Sequence, residues 1–398
     1  MSSIAPVSVD AIDLGDPTLY ASEAPERLWA ALRAQRPVHW NVRPDGSGFW
    51  AITRFRDSIR IMKDAKVFRS ERGMRLDGTP AATAAAAGKL LVVSDGARHA
   101  NIRRVISGAF TPRTVARLEH NMRATVRQAL APALSGEPCD FTDIAAMLPV
   151  AVVCDLLGVP QQDWGFMAER TRIAFGESSA TAMERLAAHA DIFEYYEDLV
   201  ARRRREPQDD VISSMVGCLV DGRPLSDEEI FLNCDGLISG GNETTRHAAV
   251  GGVLALVQDP SRWATWRRAQ PDLLVNEILR WTSPALHVLR TPVEDVEIGG
   301  QRIRSGEPVT VWMPSANRDE SAFEDATRFD PNRSPNPHIA LGIGPHYCLG
   351  GALARTELRV LFEELLAGAA AVESAGPIRR LVSNLMWGYE SLPVVFRG

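Results

Sequence analysis

The sequence predicts a mainly α protein with small β-sheets near its start and in its C-terminal half. Long helical patterns fill most of the middle, two strand-like runs precede residue 62, and strand signals return after residue 286. In chain order, "PVHWNV" and "GFWAITRF" flank the turn-forming "RPDGS" within 36–61, which reads as a hairpin. Helical patterns then cover 98–134, 141–157, 163–205, 226–258, 261–269, 271–282 and 350–368. Short strands are expected at 287–312 and around "YESLPVVF". No fixed-period repeat and no long Gly/Ser linker interrupts the chain, so 1–398 is expected to be a single domain. Its β-richer part lies at 36–61, its helical core at 98–282 and a cysteine loop at 338–355.

Two segments stand apart. "RLDGTPAATAAAAGKLL", Arg75 to Leu91, reads either as a surface loop with a short helix or as a lid over a pocket. "RRRREPQDD" at 202–210 reads as a solvated helix end, its arginines suited to the C-terminal dipole.

Composition narrows the function. With 45% hydrophobic residues and a net charge of −6, the chain reads as soluble and globular, and nucleic acid is not expected as its partner. The start, "MSSIAPVSVDAIDLGDP", shows no basic region followed by an apolar one, so no signal peptide is expected. No apolar run approaches the roughly 20 residues of a spanning helix. The five cysteines are widely spaced without a CxxC, which argues against a disulfide framework or a zinc site and for a reducing cytoplasm.

Three stretches carry chemistry. In 226–258, Ser226 and Glu229 form a capping box, and Asp259-Pro260 ends a helix of about 50 Å. Its middle, "GLISGGNETTRHAAVGG", places Gly240 and Gly241 in mid-helix, where each costs roughly 1 kcal/mol relative to alanine. They mark either a close helix crossing or a groove that admits a ligand, with Thr244 bonding back to a freed carbonyl and Glu243 beside it to relay protons. In "NEILRWTSPALHVLRT", Glu277 and Arg280 share a helix face, and burial of the pair would demand a further partner, for which Arg333 is the candidate. In "HIALGIGPHYCLGGALAR", Cys348 sits among four glycines just before a helix, whose amides and dipole favour a thiolate. Packing under a turn and nucleophilic catalysis are the competing readings of that thiol.

Together these stretches resemble the cytochrome P-450 family of heme-thiolate monooxygenases, most closely its soluble bacterial members, over nearly the whole chain. The resemblance implies a helix-rich triangular fold, with heme b held between the long central (I) helix and the cysteine loop with its L helix. It makes Cys348 the axial iron ligand, with Gly240, Gly241 and Gly350 beside the heme. It makes Glu243 and Thr244 the acid–alcohol pair for dioxygen activation, Thr244 at the oxygen and Glu243 linked to bulk solvent. Glu277 and Arg280 match the ExxR pair, with Arg333 of "FDPNR" as third partner. "DGARHANIRR" resembles the C-helix segment, which assigns His99 and Arg103 to a heme propionate; Arg290 and His346 resemble the remaining propionate contacts. The substrate pocket is implied near Leu237, Ala285, Leu286, His287, Val288, Asn384, Leu385 and Met386, chiefly apolar, with Ser239, His287 and Asn384 as polar anchors or structural groups. Leu341 departs from the family, which has phenylalanine there; an altered redox potential is expected rather than lost heme.

The implied reaction is hydroxylation or epoxidation of a small apolar molecule, a secondary-metabolite intermediate of polyketide, terpenoid or sterol type, free or presented on a carrier protein. No flavin or iron–sulfur signature occurs, so electrons are expected from a ferredoxin and its reductase. Arg98, Arg103, Arg104, Arg113, Arg355 and Arg359 would form a basic docking patch on the cysteine side. The protein is expected to be a cytoplasmic monomer. The alternatives are a peroxide-driven, coupling or nitrating enzyme of the same fold and a non-catalytic heme-binding protein.

Overall fold

The computed structural model describes residues 9, 12–22, 24–108, 110, 112–176 and 180–398. The reading of the extreme N-terminus therefore lies outside the described residues.

The long helix runs Asp227–Gln258 and begins where its sequence requires. Ser226 Oγ accepts from the Glu229 amide (3.2 Å), while the Glu229 carboxylate accepts from the Ser226 amide (2.8 Å). Helix Phe141–Leu157, apolar almost all round, packs along it. Its later glycines are crossing points: a Cβ on Gly252 would stand 2.4 Å from the Phe362 ring, and one on Gly251 would stand 2.6 Å from Thr282. Together these helices enclose the largest core cluster, with helix Gly351–Gly368 on its other side.

Two of the expected helical spans are broken. The 98–134 pattern forms Gly96–Ser107 and Pro112–Leu130, because Gly108 ends the first helix and Pro112 starts the second at its N-terminal position. The 163–205 pattern forms Trp164–Thr171, a π turn at Arg172–Gly176, and Ala182–Arg205, which Thr181 and Glu184 open with a second capping box. Helices Ala24–Gln35 and Phe55–Lys63 were not expected; the second is amphipathic but only nine residues long, and it follows so closely on Gly48–Ile52 that the strand pattern runs on into its start. In the arginine run, Arg203 is not solvated: it is buried, paired with Asp210 (2.5 Å), and donates to the Gly158 carbonyl (2.6 Å).

The hairpin forms as Val38–Val42 against Gly48–Ile52, with Trp40 opposite Trp50. It edges a five-stranded sheet in which Gly48–Ile52 runs parallel to Val309–Trp312, followed by His287–Pro292 and Phe68–Arg69. A separate cluster around Tyr20, Trp29, Trp312 and Trp387 ties this sheet to the start of the chain. Among the described residues, no helix is long and apolar enough to cross a membrane.

Candidate functional site

The fold is pinned beneath the site by a buried ion cluster. Glu277 and Arg280, both fully buried, are joined by two hydrogen bonds of 2.7 and 2.8 Å. Arg333 Nε adds a third contact at 3.1 Å, and Asn336 and the Asp330 amide complete the carboxylate's partners. The remaining Arg280 donors go to the carbonyls of Asn317, Ala326 and Arg328. Every charge is thus satisfied, the condition on which such burial is stable.

Separate from this cluster is a cavity of about 300 Å³. Cys348 and Leu341 stand on one wall, and Gly240, Gly241 and Thr244 on the other. The two mid-helix glycines separate here. A Cβ on Gly240 would meet nothing within 4 Å, so its absence widens the groove; one on Gly241 would stand 2.8 Å from Val153, so that glycine serves the helix crossing. Thr244 Oγ1 donates back to the Gly240 carbonyl (2.8 Å). In the cysteine loop, Gly344 (φ +79°) is required by the Met62 carbonyl, 2.6 Å from where its Cβ would be, whereas a Cβ on Gly350 would meet nothing.

The cavity's polar groups cluster at one edge. His99 is buried, its Nε2 has no hydrogen-bond partner among the described residues, and its ring lies 4.1 Å from that of His346. Burial, reinforced by His346 and Arg103, pushes His99 down to about 4. Arg290 is buried on the same edge, and burial lowers it to about 10. His346 reaches Asp95 (3.4 Å); burial raises that carboxyl, but His346 and the Glu71 and Ser70 amides outweigh it and hold it low. Burial likewise pushes the Cys348 thiol up, against the pull of the Gly350 amide, Arg103 and Arg355.

These residues fit a heme. An unpartnered buried imidazole, Arg103 and Arg290 in one edge suit anionic carboxylates, and the open Gly240 and Gly350 positions leave room for a flat macrocycle. A metal at Cys348 would supply the positive charge that its burial lacks. Among the described residues, no cluster of three His, Cys, Asp or Glu side chains could hold a metal by itself.

Glu243 is buried beside Thr244 but turned along the helix. Its carboxylate stands 3.3 Å from His247 Nε2 and 3.4 Å from Arg246 Nη1. Burial raises this carboxyl; His247 and Arg246 more than offset that and keep it low.

The expected pocket residues divide. Leu237 and Val288 line the cavity, joined by Leu90, Leu91, Val92 and Leu156. Leu286 is packed in the N-terminal cluster, and Ala285 bridges to Met386 backbone to backbone, outside the cavity wall. His287 is consumed by structure: Nε2 accepts from the Leu76 amide and Nδ1 donates to the Asn384 carbonyl, both at 3.0 Å. Asn384 donates to the Gly15 carbonyl and to Asp77, and neither it nor Leu385 lines the cavity. The cause is strand alternation: Val288 points to the cavity while its neighbours face the other cluster. Asn233, which sequence reading missed, lines the cavity and pins its cover, accepting from the Leu91 amide (3.0 Å) and donating to the Lys89 carbonyl (2.8 Å). The Arg75–Leu91 segment accordingly combines both readings, a short exposed helix at Pro80–Ala86 and a closing edge at Leu90–Leu91.

The expected basic patch shrinks. Arg98 is paired with Asp221 and Glu229, Arg359 with Glu119 and Glu363, and Arg355 donates to Tyr347 and Asn276. The Arg113 side chain lies outside the described residues, which leaves Arg103 and the exposed Arg104.

Residues 272–368 match the family model for cytochrome P450. The chain is 40% identical to putative cytochrome P450 126 of Mycobacterium tuberculosis, covering 97% of this chain and 98% of that one. It is 36% identical to cytochrome P450 NovI of Streptomyces niveus, over 100% and 99% of the two chains. The crystal structure of P450 OxyD, involved in the biosynthesis of vancomycin-type antibiotics, superposes with a TM-score of 0.90 at 37% identity, covering 98% of this chain and 100% of that one. Fold, cavity and sequence relationship agree, and the chain belongs to the cytochrome P450 family as a bacterial-type monooxygenase.

Proposed function

We propose that this chain binds heme b through Cys348 and uses dioxygen and ferredoxin-supplied electrons to oxidise a mainly apolar secondary-metabolite intermediate. The observation that carries this reading is one cavity shared by the Cys348 thiol, an edge bearing Arg103, Arg290, His346 and the unpartnered His99 Nε2, and a helix groove ending in Thr244. When bound, the heme supplies dioxygen activation, and a thiolate ligand favours O–O cleavage.

The protein supplies the rest. The Gly350 amide, Arg103 and Arg355 favour the charged form of Cys348. His99, Arg103, Arg290 and His346 bind the two propionates. Leu90, Leu156, Leu237 and Val288 form the apolar wall that orients the substrate and excludes water. Thr244, released from the Gly240 carbonyl, offers its hydroxyl to the reacting oxygen, and Glu243 resupplies the proton. The OxyD relationship supports an antibiotic-type intermediate as the substrate. Arg103 and Arg104 give the cysteine side a small cationic face for an acidic ferredoxin, so coupling to it weakens as salt rises.

Purified protein tests the reading. Cys348→Ala is expected to abolish the thiolate-ligated heme spectrum, and an unchanged spectrum refutes the proposal. A screen for low-to-high-spin shifts, run with free antibiotic precursors and with the same acyl groups on a carrier protein, identifies the substrate class and its mode of presentation. Thr244→Ala is expected to divert electrons from product to peroxide; intact coupling removes Thr244 from the mechanism.

A further inference from the structure

One stripe of the long helix faces two cavities. Gly240 and Thr244 line the substrate cavity; His247, Gly251, Leu254 and Gln258, further along the same stripe, line a second cavity. That second cavity is polar, with Glu26, Arg318 and Arg380 among its other walls, and at about 270 Å³ it is roomy enough to hold water. His247 lines the second cavity, and Glu243, buried and lining neither, stands beside Thr244 with its carboxylate 3.3 Å from His247 Nε2.

The side chains there are set in one direction. Thr244 Oγ1 is turned to the Gly240 carbonyl, and the Glu243 carboxylate is turned the other way, to His247 and Arg246. The His247 ring is clamped, since a Cβ on Gly388 would stand 2.5 Å from its Cγ and Nδ1. Nδ1 accepts from the Tyr389 amide (3.4 Å), which leaves the proton on Nε2, at an ion-pair distance of 3.3 Å from Glu243 but not in hydrogen-bond alignment with it. Around the carboxylate, the charged or titratable groups are Arg246 and His247 of its own helix. The Gly388–Tyr389 backbone packed over them is uncharged, and Arg318 and Arg380 line the cavity beyond.

We propose that His247 is a positioning residue that holds Glu243 turned toward the second cavity, so that the proton delivered at Thr244 enters from that cavity's water. Glu243 takes a proton from a hydronium ion there, forming its own O–H bond and leaving water. It then rotates about its side-chain bonds and gives that proton to the Thr244 oxygen as the hydroxyl passes its own proton forward. Glu243 returns as a carboxylate to the His247 Nε2–H. The inference rests on the proposed roles of Glu243 and Thr244.

The test uses substrate-free holoprotein. The Glu243 carboxyl is titrated by infrared difference spectroscopy, with Glu243→Gln identifying the band, and dioxygen consumption driven by a ferredoxin and its reductase is measured in H2O and D2O. His247→Phe removes the donor while keeping a ring, and is expected to raise the carboxyl's proton affinity about tenfold, one pH unit, and to slow consumption several-fold. His247→Gln, which restores an N–H donor, is expected to recover the wild-type titration. Gln258→Trp, at an exposed position on the second cavity, is expected to enlarge the solvent isotope effect without altering the ferric spectrum. If Glu243→Gln itself leaves consumption and isotope effect unchanged, the proposed role of Glu243 fails. If Glu243→Gln slows consumption but His247→Phe leaves the titration at wild type, or Gln258→Trp leaves the isotope effect unchanged, the role of His247 and its cavity is overturned while that of Glu243 stands.

Discussion

Alanine at each of three glycines of the long helix separates groove from crossing. In a helix interior, glycine to alanine gains about 1 kcal/mol if the methyl group meets no obstacle. At Gly240 it meets nothing within 4 Å, so Gly240→Ala is expected to stabilise the protein by about that amount. At Gly241 the methyl lies 2.8 Å from Val153 Cγ2. Overpacking there costs about 1–3 kcal/mol against the same helix gain, leaving a net change between about zero and a loss of 2 kcal/mol. At Gly252 the methyl would meet three atoms of the Phe362 ring at 2.4–3.3 Å, and a ring in a packed core moves less readily than a methyl, so Gly252→Ala is expected at the unfavourable end. Urea titrations by far-ultraviolet circular dichroism, at equal heme saturation because bound ligand stabilises the native state, read the order directly. Gly240→Ala should also narrow the groove and weaken spin-shift binding of bulky ligands. Loss of stability in Gly240→Ala as large as that in Gly252→Ala would refute the assignment of Gly240 to the groove.

Other outcomes follow from the same geometry. Glu277→Ala strands Arg280 and Arg333 without their carboxylate and is expected to cost about 3–5 kcal/mol in urea titrations; a loss under about 1 kcal/mol, the range of a surface pair, would contradict its burial. His287→Ala leaves the Leu76 amide and Asn384 carbonyl unpaired, at about 1–3 kcal/mol each, yet should leave spin-shift binding of small ligands intact. Burial of Glu229 opposes its ionisation, but Arg223, the Ser226 amide and Arg98 prevail and lower it to about 2. A depressed carboxyl stabilises the fold above its unfolded value and loses that contribution as pH falls from about 4.5 toward about 2, so Glu229→Gln should flatten acid unfolding in that window. Leu341→Phe, beside Cys348 in the cavity wall, should shift the midpoint potential with the thiolate spectrum retained; an unmoved potential would show that this position does not tune the site.

The long helix was legible to within a residue because its ends are local chemistry: a reciprocal Ser226–Glu229 cap and an Asp-Pro stop. Glu277, Arg280 and Arg333 were legible as a triad because the resemblance named all three, and their convergence places them on one carboxylate. The pocket was less legible. The strand here is His287–Pro292, and a sequence does not say which of its alternating faces meets the cavity until neighbouring strands fix it. That neighbour is Val309–Trp312, itself parallel to Gly48–Ile52 some 260 positions away, a pairing with no local signal.

By itself, then, the sequence determined the helical frame and the position of the thiol at a helix start, which depend on residue type and short spacing, and its resemblance to a known family supplied the reaction class. Only the tertiary structure decided which glycine opens the groove and which arginines remain free of local ion pairs. It also decided that His287 braces a loop while His247 faces Glu243. These outcomes depend on distances between segments far apart in the chain, set by packing after the local elements have formed.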